Sequence, residues 1–382
     1  MSGARVAAVK CVSYDPEEVS TALDRAFSLL GGIESLIPAD GRCLLKPNLL
    51  SPSEVSQAIT THPALVEATG RAIRKLGIDV VAGDSPGRGD TLKVAEVCGI
   101  AEACRRADVR LVPFDDEITV RHPTGAICKE FTLAREAALA RSIVNIAKMK
   151  THGFMAFTGA VKNMFGCIPG TKKARMHLRY QEPADFCVML LDIVTLLKPA
   201  LSILDAVIAM DGDGPSHGRV RRFGAILVST DPVAVDTVSL VLAKVDPMRV
   251  PYLKAARELG IGQTRLDEIE VLGDPVEELA VDDFEMPKGG TPSPLFKWGA
   301  KFRRVATATP VIDRPKCTGC GQCVTSCPPQ VIAIAGKKAA IDYNGCIRCY
   351  CCQEMCPAGA VTLSRGGLAR LADRVFDSFN RR

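Results

Sequence analysis

Between Arg5 and about residue 275, short apolar runs alternate with stretches of helical spacing. Arg5 to Ser13, Arg42 to Lys46, Asp79 to Asp84, Val109 to Pro113, Ser142 to Ala147, Leu201 to Met210, Phe223 to Ser229 and Ile269 to Leu272 read as strands. Pro16 to Leu30, Pro63 to Leu76, Leu92 to Arg106, Pro183 to Leu197, Pro232 to Leu242 and Pro251 to Leu259 read as helices. Uninterrupted apolar runs suit strands covered on both faces, and their alternation with helices predicts an α/β domain with a mainly parallel sheet flanked by helices. Ligands of such sheets bind outside the carboxyl ends of the strands.

The pattern changes after residue 275. Pro287, Gly289, Gly290, Pro292 and Pro294 mark a linker over 276–310. Within it, Leu295 to Arg304 reads as a short basic amphipathic helix. Residues 311–365 form a second, small unit in which Val331 to Ile334 and Ala339 to Asp342, joined by Gly336-Lys337-Lys338, predict a strand–turn–strand. Over 366–382, Leu368, Leu371, Ala372, Val375, Phe376 and Phe379 share one face of an amphipathic helix. Such a face packs on its own protein or a twin subunit, making a homodimer; the sharper reading is an interfacial membrane helix.

The length of 382 residues, 47% of them hydrophobic, suits two or three domains. The most apolar region, Cys187 to Met210, is broken by Asp192, Lys198, Pro199 and Asp205, so no transmembrane span is expected. The start reads as running directly into a strand rather than as a signal peptide. A net charge of +5, with both signs mixed, gives no case for nucleic acid. Lys172 to Arg175 and Arg219 to Arg222 are modest basic clusters, either solvated faces or sites for an anionic substrate or acidic partner.

Sixteen cysteines change the picture. Eight lie in two runs, Cys317-x2-Cys320-x2-Cys323-x3-Cys327-Pro328 and Cys346-x2-Cys349-x2-Cys352-x3-Cys356-Pro357, each ligand having a counterpart 29 positions on. This is the two-cluster bacterial ferredoxin spacing, in which the fourth Cys of each run ligates the other cluster. Cys317, Cys320, Cys323 and Cys356 are therefore assigned to one [4Fe–4S] cluster, and Cys346, Cys349, Cys352 and Cys327 to a second. Zinc would favour separated CxxC pairs, often with His, and no His lies between Pro310 and Arg382. The small unit is thus expected to be an α+β ferredoxin-like dicluster domain stapled by its clusters. Cys351 reads as a bystander, and the seven other cysteines as buried small hydrophobes. Such usage points to a reducing, anaerobic cytoplasm.

Candidate chemistry in the large domain collects after the strands. Lys46, Asn48, Asp84, Lys150, His152, Thr158, Gly159, Lys162, Asn163, His177, Asp211, Asp213 and His217 are singled out. Gly-rich turns with free amides beside Lys suit an anion. Lys46, Lys150 and Lys162 would neutralise it, and His152, His177 and His217 would act as acid/base groups. Asp211 and Asp213 would hold a hard metal or orient a His. Each has a bland alternative as turn, cap or structural group; the block 148–170 is the densest in functional groups. No GxGxxG follows the first strand, so a Rossmann-type nucleotide is not supported.

Lys46-Pro47-Asn48, Thr61-His62-Pro63, Asp84-Ser85-Pro86, Lys148 to His152, Thr158-Gly159-x-x-Lys162-Asn163 with Gly166, and Asp211-Gly212-x-Gly214-Pro215 resemble the DUF362 family over roughly residues 5 to 275. Members of that family often carry an appended two-cluster ferredoxin domain, and the resemblance implies a fold rather than a reaction. His152 with Thr158-Gly159-x-x-Lys162 and Pro169-Gly170 also looks like a stretch of the nickel-pincer lactate racemase family. That resemblance would put Lys162 at the cofactor-tethering position, although Thr158 and Ala160 replace the Ser and second Gly of the pattern.

The expected function is that of an iron–sulfur oxidoreductase. Single electrons would pass from a soluble carrier, of ferredoxin or flavodoxin type, through both clusters to an anionic small molecule or cofactor at the strand ends. His152 or His177 would donate the proton, and Lys150 and Lys162 would hold the anionic group. Flavin, nickel or no cofactor in the large domain all remain open. One alternative is a non-enzymatic electron-transfer or maturation protein that docks a client redox protein through 295–304 and 368–382. Another is a non-redox enzyme whose clusters are structural or sensory.

Overall fold

The computed structural model describes residues 3–170, 172–287 and 307–364. The amphipathic segments expected at 295–304 and 366–382 lie outside them. In chain order the strands are β1 Ala4–Lys10, β2 Arg42–Pro47, β3 Asp79–Ala82, β4 Arg110–Leu111, β5 Glu117–Arg121, β6 Glu130–Ala134, β7 Ser142–His152, β8 Ala156–Thr158, β9 Leu201–Asp211, β10 Arg219–Ser229 and β11 Ile269–Gly273. The small domain adds β12 Thr309–Ile312, β13 Ile332–Ala335, β14 Lys338–Ile341 and β15 Val361–Ser364.

Among the described residues one nine-stranded sheet dominates, ordered β11-β1-β10-β9-β7-β2-β3-β4, with β8 paired to β7. Pairings β1/β11, β9/β7, β7/β2, β2/β3 and β3/β4 are parallel; β10 runs antiparallel to β1 and β9, and β8 to β7. The mainly parallel α/β architecture is therefore present. Alternate residues of one strand feed two separate cores. Leu44 and Ala147 enter one; Cys43, Leu45 and Ile146 enter the other. This is the two-sided burial that the apolar runs encode.

Three elements depart from the sequence reading. The helix expected over Leu92 to Arg106 is two, Thr91–Val97 and Ile100–Arg106. They break at Gly99, which has φ +75° and sits where a Cβ would press on Pro63 at 3.2 Å. The hairpin β5/β6 was not anticipated, because β5 alternates exposed with half-buried positions rather than showing an apolar run. Most consequentially, β7 does not stop at Ala147. It continues to His152, and all eleven residues are buried. Lys148, Lys150 and His152 are thus strand residues alternating with Met149 and Thr151, not part of a loop.

In the small domain β12 pairs with β15 and β13 with β14, both antiparallel. Its core is built largely of the cysteines themselves, Cys317, Cys323, Cys327 and Cys352, with Ile332, Ala339, Ala360 and Val361. That little apolar area cannot hold a fold of this size unaided.

Candidate functional site at the domain seam

The ends of β2, β3 and β7 hold a buried polar network. Lys46 Nζ lies 2.7 Å from Asp84 Oδ1, both side chains almost wholly buried. It also donates to Pro47 O and to Asn163 Oδ1. Asn163 in turn donates to Lys46 O and Asn145 Oδ1 and accepts from Asn48 Nδ2. Asp84 Oδ2 accepts from Leu49 N at 2.7 Å. Gly166 is required here, since a Cβ would lie 2.0 Å from Asp84 Oδ1 and 2.5 Å from Lys46 Nζ. Lys46 is therefore spent on Asp84 and does not present a free charge to a ligand. A second buried pair, Lys148 Nζ to Asp205 Oδ2 at 2.9 Å, is completed by Tyr14, which accepts from Lys148 and donates to Asp205.

The Gly159 turn also differs from expectation. Its first amides are not free: Ala160 N and Val161 N donate to Asp236 at 2.6 and 3.0 Å, and Tyr252 OH donates to the same carboxylate. Burial pushes Asp236 up to about 7 against these hydrogen bonds. A Cβ at Gly159 would lie 2.1 Å from Asp236 Oδ1, so the turn closes on its own carboxylate rather than on an anion. Thr158 is buried beside it, with its hydroxyl unpartnered among the described residues.

Lys150, His152, Lys162 and His177 form a different group. Lys150 donates to Asn48 Oδ1 at 2.9 Å and to Ile59 O, and burial lowers it to about 7. His152 Nδ1 accepts from Phe154 N and Met155 N, which fixes the proton of the neutral ring on Nε2. His177 stacks on Phe186 with ring centres 4.5 Å apart, and Phe154 and Phe165 border it. Burial lowers His152 to about 4 and His177 to about 3. His152 Nε2 and His177 Nδ1 are buried without a hydrogen-bond partner among the described residues.

The acid facing this group comes from the small domain, and the sequence reading missed it. Glu354 closes the helix Cys351–Glu354, and its Oε2 lies 3.6 Å from His152 Nε2. Burial alone would raise Glu354, but Lys162, His152 and His177 hold it well below the usual carboxylate range. Lys173, from the basic cluster Lys172 to Arg175, reaches the carbonyls of Ser85 and Pro86 and is lowered to about 8 by burial.

Asp213 and His217 lie at the seam with the small domain, whereas Asp211 is engaged within the large domain. Asp211 is held by Arg219 at 2.8 Å and by Arg221 at 3.4 Å, which leaves it no capacity for a metal or a His. Among the described residues, no three His, Cys, Asp or Glu converge to hold a single metal ion. The Asp213 and Gly214 carbonyls face Gln353 Nε2 at 3.4 and 3.5 Å. Ser216 donates to Glu354 O, and His217 Nε2 meets Cys356 O at 2.6 Å. Apolar contact completes the seam, with Tyr350 edge-on to Phe154 at 6.2 Å. The loop expected to bind a cofactor thus docks the cysteine-bearing domain.

The eight motif cysteines line two cavities. Cys317, Cys320, Cys323 and Cys356 surround one, walled by Ile312, Ile334, Ala339 and Val361. Cys327, Cys346, Cys349 and Cys352 surround another, walled by Ile332, Ile341 and Tyr350. A tetrahedral zinc would draw four sulfurs to about 2.3 Å of one point. Sulfurs spread around an apolar cavity instead fit an iron–sulfur cube, and the crossed membership of Cys327 and Cys356 matches the dicluster rule.

A family model described as a domain of unknown function, DUF362, matches residues 43–241. The chain belongs to the DUF362 family. A second model, a 4Fe-4S dicluster domain, matches residues 309–357, so this DUF362 protein carries two [4Fe–4S] clusters and an electron-transfer domain. A thylakoid-associated protein of Synechocystis sp. is 32% identical over 285 residues, 74% of this chain and 88% of that one. Pyruvate synthase subunit PorD of Methanothermobacter marburgensis is 37% identical over 59 residues, 15% of this chain and 69% of that subunit. A ferredoxin of Methanothermococcus thermolithotrophicus is 38% identical over 55 residues, 14% of this chain and 92% of that ferredoxin. Among solved structures, the lactate racemase apoprotein of Thermoanaerobacterium thermosaccharolyticum aligns at 12% identity and TM-score 0.41, covering 62% of this chain and 57% of that one. Among the described residues no helix is long and apolar enough to cross a membrane.

Proposed function

We propose that this DUF362 protein is an oxidoreductase that passes single electrons from a carrier protein, through its clusters, to an anionic small molecule at the domain seam. The observation that carries this reading is the helix Cys351–Glu354. It contributes Cys352 to a cluster cavity and Glu354 to the basic group of the large domain. A redox cofactor and a set of proton-bearing groups thereby share one short element. The ligands are Cys317, Cys320, Cys323 and Cys356 for one cluster, and Cys346, Cys349, Cys352 and Cys327 for the other. Bound there, the clusters supply one-electron steps at potentials set by their surroundings.

The protein groups supply the rest. Lys162 provides the positive charge that an anion requires, and Glu354 marks where the site accommodates a negative one. His152 presents its Nε2 proton toward that position, and His177 lines it. Lys150, with its affinity for protons brought near neutrality by burial, replenishes the proton. Eight cysteines serve as cluster thiolates and none of the sixteen is paired in a disulfide, which supports a reducing cytoplasmic setting.

The test is reoxidation. Anaerobically reduced protein is mixed with small carboxylates and phosphate esters that carry a reducible carbonyl or carbon–carbon double bond as the electron acceptor, and the return of cluster absorbance is followed. A substrate should reoxidise wild type rapidly and His152→Phe about 10²–10⁴-fold more slowly at equal iron content. Unchanged reoxidation in both His152→Phe and Lys162→Met would refute the site.

A further inference from the structure

The two cluster cavities differ in setting. The second lies behind Tyr350, which is buried and packs on Phe154 of the large domain. The first opens beside Thr318, Cys320 and Ile334, all exposed. Ile334 leaves 43% of its surface accessible, an uncovered apolar spot at the mouth of a redox centre.

The charges around that mouth are mostly positive among the described residues. Arg314, Lys316 and Lys337 are exposed, and Lys338 donates to Cys317 O. Lys337, in the turn between β13 and β14, packs its backbone against the cluster loop, its carbonyl 2.4 Å from where a Cβ of Gly319 would stand. Against these four cations the rim has, among the described residues, one carboxylate, Asp313, which lies 3.3 Å from Lys316. The other two acids described in this domain point elsewhere. Glu354 is in the seam, and Asp342 follows Ile341 on the wall of the second cavity. Arg314 and Lys337 have no ion-pair partner among the described residues. Within the basic runs that stand out in the sequence, Lys172, Lys173, Arg219 and Arg221 are by contrast engaged by their own domain. Lys172 pairs with Glu117, Lys173 bonds Ser85, and Arg219 and Arg221 hold Asp211.

We infer that the rim of the Cys317–Cys320–Cys323 cavity is the docking surface for an acidic one-electron carrier protein, and that electrons enter at this cluster. The inference rests on the electron-transfer reading above and adds to it the entry point and the partner's charge. In the step, the carrier loses one electron and the cluster gains it, with no bond made or broken. A basic rim steers an acidic partner to productive encounter, and salt screens that attraction. The exposed Ile334 supplies the apolar contact at the centre.

The experiment uses the full-length holoprotein under anaerobic stopped flow, reading cluster bleaching. An acidic flavodoxin hydroquinone is the carrier probe, and photoreduced deazaflavin is the small-molecule control. Raising salt from low to high should slow reduction by flavodoxin about tenfold or more. Arg314→Glu with Lys337→Glu should slow it by a similar factor at low salt, leaving iron content and the deazaflavin rate unchanged. The neutral variant Lys337→Gln should fall between, which guards against damage from two charge reversals. A charge-reversed protein that keeps the wild-type rate and salt slope with flavodoxin would overturn the docking surface alone. Failure of both donors to reduce the clusters would overturn the electron-transfer reading with it.

Discussion

Two regions of the large domain bury lysines beside carboxylates, and they do so differently. At the end of β2 and midway along β7 and β9, Lys46 meets Asp84 and Lys148 meets Asp205, each pair complete within the domain and joined by Asn163 or Tyr14. At the seam, Lys162, His152 and His177 face one carboxylate that belongs to the other domain, and two imidazole nitrogens stay unpartnered among the described residues. A charge taken out of water needs a partner with good geometry. The first region meets that need and so maintains the fold. The second meets it incompletely, which is the condition of a site that has still to receive a ligand.

The largest effect that would break this contrast lies in the paired region. Asp205→Asn strands a buried Lys148 and disrupts Tyr14 with it. Breaking one partner of such a pair costs about 3–5 kcal/mol, so urea unfolding should show a loss of that order while iron content stays normal. Asp84→Asn should behave alike through Lys46. If either variant unfolds like wild type, the pairs do not hold the fold and the distinction fails.

Lys162→Met sharpens the other side. Its ammonium has no ion-pair partner within its own domain among the described residues, so the large domain should lose little, within about 1 kcal/mol, and the cost should fall on the seam, where Lys162 steadies the buried Glu354 carboxylate. Anion-dependent reoxidation should fall by about tenfold to a hundredfold, the scale of one charge-assisted contact of about 1.5–3 kcal/mol. A variant that unfolds but still reoxidises normally would place Lys162 with the structural lysines.

The histidines give a pH signature of opposite origin to that of a surface ion pair. His177 is lowered from 6.5 to about 3 by burial, with Glu354 acting against burial and Lys162 and His152 with it. The unfolded chain therefore binds more protons than the folded one between those values. Stability should fall as pH drops below about 6.5 and go on falling toward 3. His177→Phe keeps the stack on Phe186 and should flatten part of that decline, measured by urea midpoints across the range. An unchanged slope would mean that His177 is charged or solvated in the folded protein.

Much of this was legible in the chain, and what was not has physical reasons. Apolar runs covered on both faces announced the sheet, and the cysteine spacing announced the clusters, because both signals are local. Lys162, His152 and His177 were visible as polar residues beside Gly-rich turns. Glu354 was not, since a lone Glu between two cysteine ligands looks like any solvated helix residue. Only the docking of one domain on the other gives it partners. The role of Asp236 was hidden by distance along the chain within one domain: it lies 76 positions from the Ala160 amide it binds. The reach of β7 through Lys148, Lys150 and His152 was missed because charged residues rarely continue a buried strand, and do so here only with Asp205, Asn48 and Glu354 opposite them.

The smallest expected effect concerns the seam that brings the second region into being. His217 Nε2 meets Cys356 O at 2.6 Å, and its ring lies against Gly359, where a Cβ would come within 3.2 Å. His217→Phe keeps the ring and removes one hydrogen bond, a net contribution of about 0.5–1.5 kcal/mol at most for a group this exposed. Unfolding of the large domain should scarcely change, because its own pairs are untouched. Local opening of the seam should become easier, and amide exchange at Ser216 to Gly218 and at Gln353 to Met355 should quicken by up to about tenfold. Reoxidation by the anionic substrate should slow in step, since Glu354 and the cluster cysteines approach the basic group only while the seam is closed. Exchange that quickens with no change in reoxidation would separate docking from electron delivery. The unpartnered histidines would then be a feature of the large domain alone, and the comparison with Lys46 and Lys148 would have to be redrawn inside it.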